Sequence, residues 1–169
     1  VRVHGNYHLG EFLYTGAGFV VTDFEGDPER PLSERRIKRS PLRDVADMVR
    51  SFHYAALTPL FGPREARGNF AGVVRGEDRG ELMGWARFWA SWVSARFVRA
   101  YLEGIAGAGL VPSDPAACRD LLELMVLEKA VVELGSDLDF QPDRVAIPIT
   151  GLLDIVGAAA VPPDAPAHT

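Results

Sequence analysis

The first part of the chain has the pattern of short β structure. Two runs of aromatic and β-branched residues, Phe12–Tyr14 and Phe19–Val21, are separated by a glycine-containing turn. Such runs, bounded by turn residues, are typical of strands, so the pattern predicts a β-hairpin. Val1 and Val3 frame a further predicted strand. Residues 25–39 are polar and contain two prolines, and we expect a loop there.

From residue 40 onward, apolar residues recur at helical spacing. Ser40 is a candidate N-cap, and Pro41 suits the first position of a helix. The pattern predicts four helices, over residues 41–57, 81–104, 113–134 and 150–156. Strands and helices do not alternate, which argues against an α/β sheet. The predicted fold class is therefore mainly α with a small β-hairpin element at the start.

Two of these helices carry patterns that bear on burial. Trp85, Trp89 and Trp92 form a stripe on the second helix, and such a stripe is more often core than a sugar-stacking surface. The third helix is apolar nearly all round, which predicts a buried helix. Three charged residues interrupt it, namely Glu128, Lys129 and Glu133. Because unpaired buried charge is costly, these three either form ion pairs or face a cleft.

Composition narrows the class of protein. The chain has 169 residues, enough for one domain with a real core, and a net charge of −5 at pH 7. That charge gives no support for nucleic-acid binding, which favours a basic face. No apolar run approaches the ~20 residues of a membrane span, so we expect no membrane partner. The single cysteine, Cys118, fits a reducing compartment, and we expect a cytoplasmic protein in which Cys118 is a small buried hydrophobe.

The candidate chemistry lies in two segments, HGNYHLGE at residues 4–11 and DFEG at residues 23–26. Phosphoryl transfer needs a group that orients the attacking hydroxyl and oxygen ligands that hold Mg²⁺ on the phosphates. A hairpin between the segments brings Asn6, Glu11 and Asp23 close together. The spacing makes a phosphotransferase site plausible, although the first segment taken alone is more typical of a polar β-turn.

The order of these two segments resembles the catalytic and metal loops of the aminoglycoside-phosphotransferase and kinase-like superfamily. Further stretches resemble maltokinase, especially the branch fused behind a trehalose synthase. These stretches are residues 31–36, 39–46, 50–56, 85–89 and 127–130. The resemblance implies the C-lobe of a protein-kinase-like phosphotransferase. It assigns the C-lobe to residues 1–157, with catalytic and metal loops at 4–26 and a helical part at 40–157. We expect a disordered tail over 158–169 and an N-lobe that is missing before Val1.

The same resemblance implies a reaction and its residues. Maltokinases use ATP as co-substrate and Mg²⁺ to convert maltose to maltose 1-phosphate. Their pattern places the catalytic residue at Asn6 and the metal ligands at Glu11 and Asp23. It also implies two further groups: support of the catalytic loop by His4, His8 and Asp44, and acceptor binding by Glu128, Glu133 and Asp137. Nucleotide-binding residues stay unassigned, since they would lie mostly on the N-lobe. Asp44 either complements the helix N-terminus or braces the loop through backbone N–H groups.

Departures from the family pattern keep the activity open. Asn6 stands where the family has its catalytic Asp, and an amide cannot take a proton. Because a general base contributes about 10²–10⁴ in rate, we expect impaired turnover, and we expect the fragment alone to be inactive. Val132, Ser136 and Asp137 replace acceptor-side residues of the family, which leaves the sugar open.

Three alternatives follow from these departures. The first alternative is that the chain is a pseudokinase, a regulatory module that binds sugar or nucleotide beside a trehalose synthase. A second alternative is a kinase for another small acceptor such as glucosamine. The third is that Asn6 is a change from the natural sequence.

Overall fold

The computed structural model describes residues 1–27, 30–61, 74 and 78–159, with side chains to residue 157, and this part of the chain is mainly helical. A 3₁₀ turn, Leu9–Glu11, leads into the only sheet among the described residues, an antiparallel hairpin. Its strands are β1, Phe12–Tyr14, and β2, Phe19–Val21, with Leu13 opposite Val20. The predicted hairpin is confirmed.

The strand expected over Val1 and Val3 is wrong. The first residue pairs with Arg39 instead, whose N–H donates to the Val1 carbonyl at 2.9 Å. The terminal amine of Val1 donates in return to the Arg39 carbonyl at 3.1 Å. These two hydrogen bonds hold the first residue beside the start of the helical part. They involve only this pair of residues, so they do not form a β-ladder.

Five helices follow the hairpin within the part of the chain that the structure describes. They are α1, Leu32–Arg35; α2, Leu42–Phe61; α3, Arg79–Gly104; α4, Pro115–Phe140; and α5, Ala146–Ala159, which follows a 3₁₀ turn at Pro142–Arg144. Asp114 caps α4 by accepting from the N–H of Ala117 at 3.0 Å, with Pro115 at the first position. None of the described helices combines the length and apolar character that a membrane span requires.

The largest differences between predicted and observed helix ends are in α2, α4 and α5. Helix α2 continues through Pro59 to Phe61, although we expected it to end near Leu57. The carbonyl that loses its donor there belongs to Ala55, an exposed position, which makes the loss cheap. Helices α4 and α5 are longer than expected, and α5 includes residues 158 and 159 of the predicted tail. Residues 160–169 of that tail lie outside the described residues.

Helix α2 is the centre of the packing and contacts α3, α4 and α5. At its first half, Leu42 and Val45 pack with Cys118 of α4 and with partly buried residues of α3 such as Phe97. At its second half, Leu57 and Leu60 pack with Ile147 of α5. The two clusters hold four helices together and leave one face of α2 between them for polar residues.

Two predictions about burial are wrong. Helix α4 is not buried all round, since Leu138 is 58% exposed and Phe140 is 73% exposed. The tryptophan stripe of α3 is not core either, with Trp85 64% exposed and Trp92 58% exposed. A helix buries only the sides that contact a neighbouring helix. Here α2 packs against one side of α3 and one side of α4, so their other apolar residues stay exposed. The prediction that Cys118 is buried is confirmed.

Candidate active site

The loop at residues 4–10 is fastened to the first turn of α2 by Asp44. One carboxylate oxygen of Asp44 accepts from the backbone N–H of His4 at 2.8 Å, and the other accepts from the N–H of Gly5 at 2.9 Å. Charge-assisted hydrogen bonds of this kind are short and strong. Gly5 has φ of 81°, a left-handed conformation that glycine adopts at little cost. The Asp44 carboxylate therefore fixes the backbone one residue before Asn6.

His4 is bonded at both ring nitrogens. Its Nε2 lies 2.7 Å from the carbonyl oxygen of Thr22, and its Nδ1 accepts from the backbone N–H of Asn6 at 3.4 Å. A carbonyl can only accept, so Nε2 carries the proton. The ring is 7% exposed and packs against Tyr7 and Phe24. His4 thus ties the loop before Asn6 to the end of β2.

Asn6 and His8 converge on Glu11. Asn6 Nδ2 donates to Glu11 Oε1 at 3.4 Å, and His8 Nε2 lies 3.1 Å from the same oxygen. His8 Nδ1 accepts from the Gly10 N–H at 3.0 Å, which leaves Nε2 as the donor to Glu11. The Glu11 side chain is buried, and its backbone carbonyl accepts from the Thr22 N–H at 2.9 Å. Position 6 is therefore next to a buried carboxylate.

Asp23 follows β2 with an exposed side chain and a φ of 58°. This left-handed conformation is uncommon for residues other than glycine, although aspartate tolerates it better than most. Among the described residues, no hydrogen bond joins the Asp23 carboxylate to Asn6 or Glu11, and no three acidic, histidine or cysteine side chains form a metal-binding group. Mg²⁺ needs only one or two carboxylates beside substrate phosphates and water, so the oxygen donors of Glu11 and Asp23 suit it chemically.

A cavity of about 370 Å³ lies beside this loop, between α2 and α4. Asp47, Ser51 and Tyr54 line it from α2 at helical spacing, and His8 lines it from the loop. The opposite wall comes from α4 and the following turn: Lys129, Glu133, Ser136, Asp137 and Arg144. We call this cavity the polar cleft. It brings two of the predicted acceptor residues, Glu133 and Asp137, next to the predicted catalytic loop.

Ion pairs and hydrogen bonds join the two walls of the polar cleft. Tyr54 donates its hydroxyl proton to Asp137 Oδ2 at 2.8 Å, and Lys129 Nζ lies 3.3 Å from Asp47 Oδ1. Behind the wall, Arg50 Nε donates to Glu133 Oε2 at 2.7 Å. The charges that interrupt α4 are thus paired with α2, and some of them face a cleft as well.

Burial shifts the pKa values of groups in the polar cleft. It raises the pKa of Glu133, and the Arg50 guanidinium opposes this shift. Burial also raises the pKa of Asp47, against the attraction of Lys129. The pKa of the Tyr54 hydroxyl is raised, first by burial and then by the Glu133 charge, so Tyr54 stays a neutral donor. Perturbed carboxyl groups in a cleft are typical of functional sites.

Glu128 lies apart from the other predicted acceptor residues. Both of its carboxylate oxygens accept from Arg43 Nη2, at 2.9 and 2.8 Å. It lines a smaller cavity of about 50 Å³ together with Gly5 and Arg30. Arg43 is next to Asp44, so Glu128 braces the start of α2 from the side of α4. The structure therefore separates Glu128 from Glu133 and Asp137.

Several residues of the polar cleft escaped the sequence analysis, namely Asp47, Ser51, Tyr54 and Arg144. The stripe on α2 repeats at i, i+4 and i+7, on a face that avoids the apolar positions of the same helix. That spacing was a usable signal for a shared polar face. Nothing in the local sequence indicates which partner the face meets.

Comparisons with known proteins point in one direction. No protein-family profile matches the chain. A glucosamine kinase of Mycolicibacterium smegmatis is 44% identical over 55 residues, which are 32% of this chain and 14% of that relative. A glucosamine kinase of Streptacidiphilus jiangxiensis is 30% identical over 61 residues, which are 36% of this chain and 14% of that relative.

Solved structures match nearly all of the chain. A glucosamine kinase in its crystal form B superposes with a TM-score of 0.70 at 23% identity, covering 94% of this chain and 34% of that one. A glucosamine kinase in complex with glucosamine, ADP and inorganic phosphate gives 0.69 at 22% identity, with 94% and 35% covered. The fold is kinase-like. The chain spans about a third of the length of these solved relatives.

Together the comparisons show a kinase-like fold and a partial similarity to glucosamine kinases. They give no support to maltokinase in particular, which the sequence analysis favoured. The maltokinase resemblance was based on short stretches on or beside α1, α2, α3 and α4. The chain departs from the maltokinase pattern at Val132, Ser136 and Asp137, so these stretches do not identify the acceptor.

Proposed function

We propose that this chain is the C-terminal, acceptor-binding lobe of an ATP-dependent sugar kinase whose acceptor is an amino sugar such as glucosamine. The observation that carries the proposal is the polar cleft, which sets Glu133 and Asp137 beside the loop that holds Asn6 and Glu11. Similarity to glucosamine kinases supports this acceptor over maltose.

The charge of the cleft favours an amine over a neutral disaccharide. Asp47 and Glu133 are paired with Lys129 and Arg50, while the Asp137 carboxylate accepts only from the Tyr54 hydroxyl and forms no ion pair among the described residues. Burial has already removed water from Asp47 and Glu133, so a bound ammonium group would meet acceptors in a weakly screened setting. Hydrogen bonds between charged groups are about twice as strong as neutral ones. Maltose is uncharged and cannot form such charge-assisted hydrogen bonds with the carboxylates.

Asn6 would position the hydroxyl that attacks the phosphate. Its Nδ2 donates to Glu11, which leaves the amide oxygen to accept from an acceptor hydroxyl. Glu11 and Asp23 would hold Mg²⁺, which neutralises charge on the transferred phosphoryl group. His4, His8 and Asp44 would keep the loop in shape, through the hydrogen bonds described above.

A pseudokinase remains the second candidate because of Asn6. An amide can orient a hydroxyl but cannot take its proton, so the chain would bind sugar and nucleotide with little turnover. A readily measured kcat in the intact polypeptide would count against this candidate.

The test of the acceptor compares glucosamine, N-acetylglucosamine and maltose as substrates of the intact polypeptide that contains this chain. Acetylation removes the positive charge and keeps the sugar ring. We expect glucosamine to have a kcat/KM at least about tenfold above N-acetylglucosamine, the factor that one charge-assisted hydrogen bond supplies. Asp137→Asn should raise the KM for glucosamine and leave the KM values of the two uncharged sugars unchanged. Asp139→Asn, at an exposed position, is the control and should change none of the three KM values. Equal use of the acetylated sugar would contradict the amino-sugar proposal.

A further inference from the structure

A second large cavity lies on another face of α2, enclosed by α3, α4 and α5, with a volume of about 440 Å³. We call it the back cavity. Its polar lining consists of Arg50, His53, Arg87, Ser91, Ser94 and Asp154. Among the described residues, it shares no lining residue with the polar cleft. The candidate phosphotransferase chemistry therefore leaves this cavity without a role.

Arg50 is the buried cation of the back cavity. Its side chain is 2% exposed, and its Nε donates to Glu133, which lines the polar cleft on the other side of Arg50. Its Nη2 atom is buried and has no hydrogen-bond partner among the described residues. A guanidinium stays charged at any pH that a protein meets, so it cannot relieve this by losing a proton. A buried, charged donor without an acceptor is costly, and an oxyanion is the group that would satisfy it.

His53 lies beside Arg50 and repeats the same feature. Both of its ring nitrogens are buried, and neither has a hydrogen-bond partner among the described residues. Burial, aided by the nearby Arg50 charge, lowers the pKa of His53 to about 4. The ring is therefore neutral at pH 7 and has one N–H to donate. Its nearest acidic neighbour, Asp154 Oδ2, is 4.0 Å from Nε2.

Asp154 is occupied by another cation. Arg87 Nη2 lies 2.8 Å from Asp154 Oδ1, and Arg87 Nε donates to Oδ2 at 3.1 Å. This two-pronged pair neutralises Asp154 and Arg87 together. The charged groups beside the back cavity are thus paired, Arg87 with Asp154 and Arg50 with Glu133, while the Arg50 Nη2 and His53 N–H donors are left without acceptors among the described residues.

A glycine on α5 permits this arrangement. A Cβ at Gly151 would collide with Nη1 of Arg50 and would lie 2.9 Å from Cε1 of His53. Glycine inside a helix weakens it, so its presence needs a structural reason, and close approach of α5 to the two side chains supplies one. The buried polar groups are therefore held at a tight helix crossing rather than at a mobile surface.

We propose that the back cavity binds the carboxylate of a small organic acid. Arg50 Nη2 and the His53 N–H donate to the carboxylate oxygens, and the hydroxyl groups of Ser91 and Ser94 lie within the same lining. The rest of the wall is apolar and would contact an aliphatic chain; it consists of Val49, Ala90, Val126 and Ile155. A short carboxylic acid matches one buried cation and an apolar wall better than inorganic phosphate, whose double charge and full hydration favour several cations.

The experiment is an NMR titration of the full chain with sodium butyrate, butyramide and sodium phosphate at equal ionic strength. We expect saturable shifts of the Gly151 amide and the His53 ring with butyrate. Butyramide has the same shape without the charge. Its affinity should be lower than that of butyrate by about tenfold or more, as expected for loss of a charge-assisted hydrogen bond. Phosphate that binds at these resonances as tightly as butyrate would overturn the carboxylate assignment.

Variants locate the binding. His53→Phe keeps the ring shape without its nitrogens, and the milder pair Ser91→Ala with Ser94→Ala covers the case in which His53→Phe does not fold. Either should weaken butyrate binding about tenfold or more, while exposed Ser113→Ala should leave it unchanged. Butyrate affinity that is the same in all variants, or shifts confined to Ser51 and Ser136 of the polar cleft, would overturn the proposal.

Discussion

The Arg50 guanidinium and the Glu133 carboxylate form a buried ion pair that joins α2 to α4 behind the polar cleft. Arg50 Nε donates to Glu133 Oε2 at 2.7 Å, and the two side chains are 2% and 16% exposed. The residues are 83 positions apart in the chain, so this contact fixes how the two helices meet. Each partner is costly to bury without the other.

Arg50→Met should destabilise the protein by about 3–5 kcal/mol, since it leaves the Glu133 carboxylate buried without its cation. Arg50→Met combined with Glu133→Leu should recover most of that loss, because the double variant buries no charge. The measurement is urea unfolding of the wild type, both single variants and the double variant. A loss below about 1 kcal/mol for Arg50→Met would mean that the pair is not buried in solution.

Asp44→Asn should loosen the loop around position 6. An amide has one acceptor oxygen in place of two and would set its NH₂ group against one of the two backbone donors. We expect a loss of about 1–3 kcal/mol in the free energy of unfolding, the cost of leaving a buried donor without an acceptor. Asp139→Asn at an exposed position of α4 is the matched control and should change little. Equal midpoints for the two variants would contradict the brace.

The local parts of the fold could be predicted from the sequence. The hairpin follows from two aromatic and β-branched runs, and the N-terminal end of α2 follows from Ser40 and Pro41. The loop motif and the hairpin also predict that position 6 and Glu11 lie close together, and the structure joins them by a hydrogen bond. Each of these depends on residues a few positions apart, where periodicity and turn chemistry are informative.

The parts that failed depend on distant partners. The sequence around Trp85 does not indicate that α2 packs against the opposite side of α3. The tryptophan stripe was therefore predicted to be core, although it is exposed. The link from Tyr54 to Asp137 spans 83 positions and has no local pattern. The resemblance grouped Glu128 with Glu133 and Asp137, whereas the structure pairs Glu128 with Arg43 beside a different cavity. Partner choice between helices depends on packing that a single sequence does not display.

Two glycines should respond oppositely to substitution by alanine. Gly151→Ala drives a Cβ into Arg50, so we expect destabilisation of about 1–3 kcal/mol, typical of overpacking. At Gly135 in α4, a Cβ meets nothing within 4 Å, and alanine should stabilise the helix by about 0.5–1 kcal/mol. Thermal unfolding of both variants measures this difference. A stabilised Gly151→Ala would show that α5 does not approach Arg50 this closely.

His53 should make stability depend on pH. Its pKa is lowered to about 4 in the folded state, against 6.5 as the ordinary value. Between these two values the unfolded chain binds a proton at His53 that the folded chain does not, so this contribution to stability rises with pH and is complete above about 6.5. Raised pKa values of Glu133 and Asp47 act in the opposite direction, since a raised carboxyl pKa lowers stability as pH rises through the affected range.

The variant His53→Phe separates the histidine from the carboxyl groups. Urea unfolding from pH 4 to 7 should give a wild-type curve that rises more steeply than the variant curve, by at most about 3 kcal/mol over the whole window. Parallel curves for the two proteins would show that His53 is not buried as a neutral ring.

The most direct test of the central claim is ATP-dependent phosphorylation of glucosamine by the intact polypeptide, with Asn6 and with Asn6→Asp. If Asn6 occupies the catalytic position beside Glu11, the aspartate should raise kcat by about 10²-fold or more, the usual effect of a general base. Phosphate transfer to glucosamine that is equally fast with either residue, or absent with both, would contradict the account.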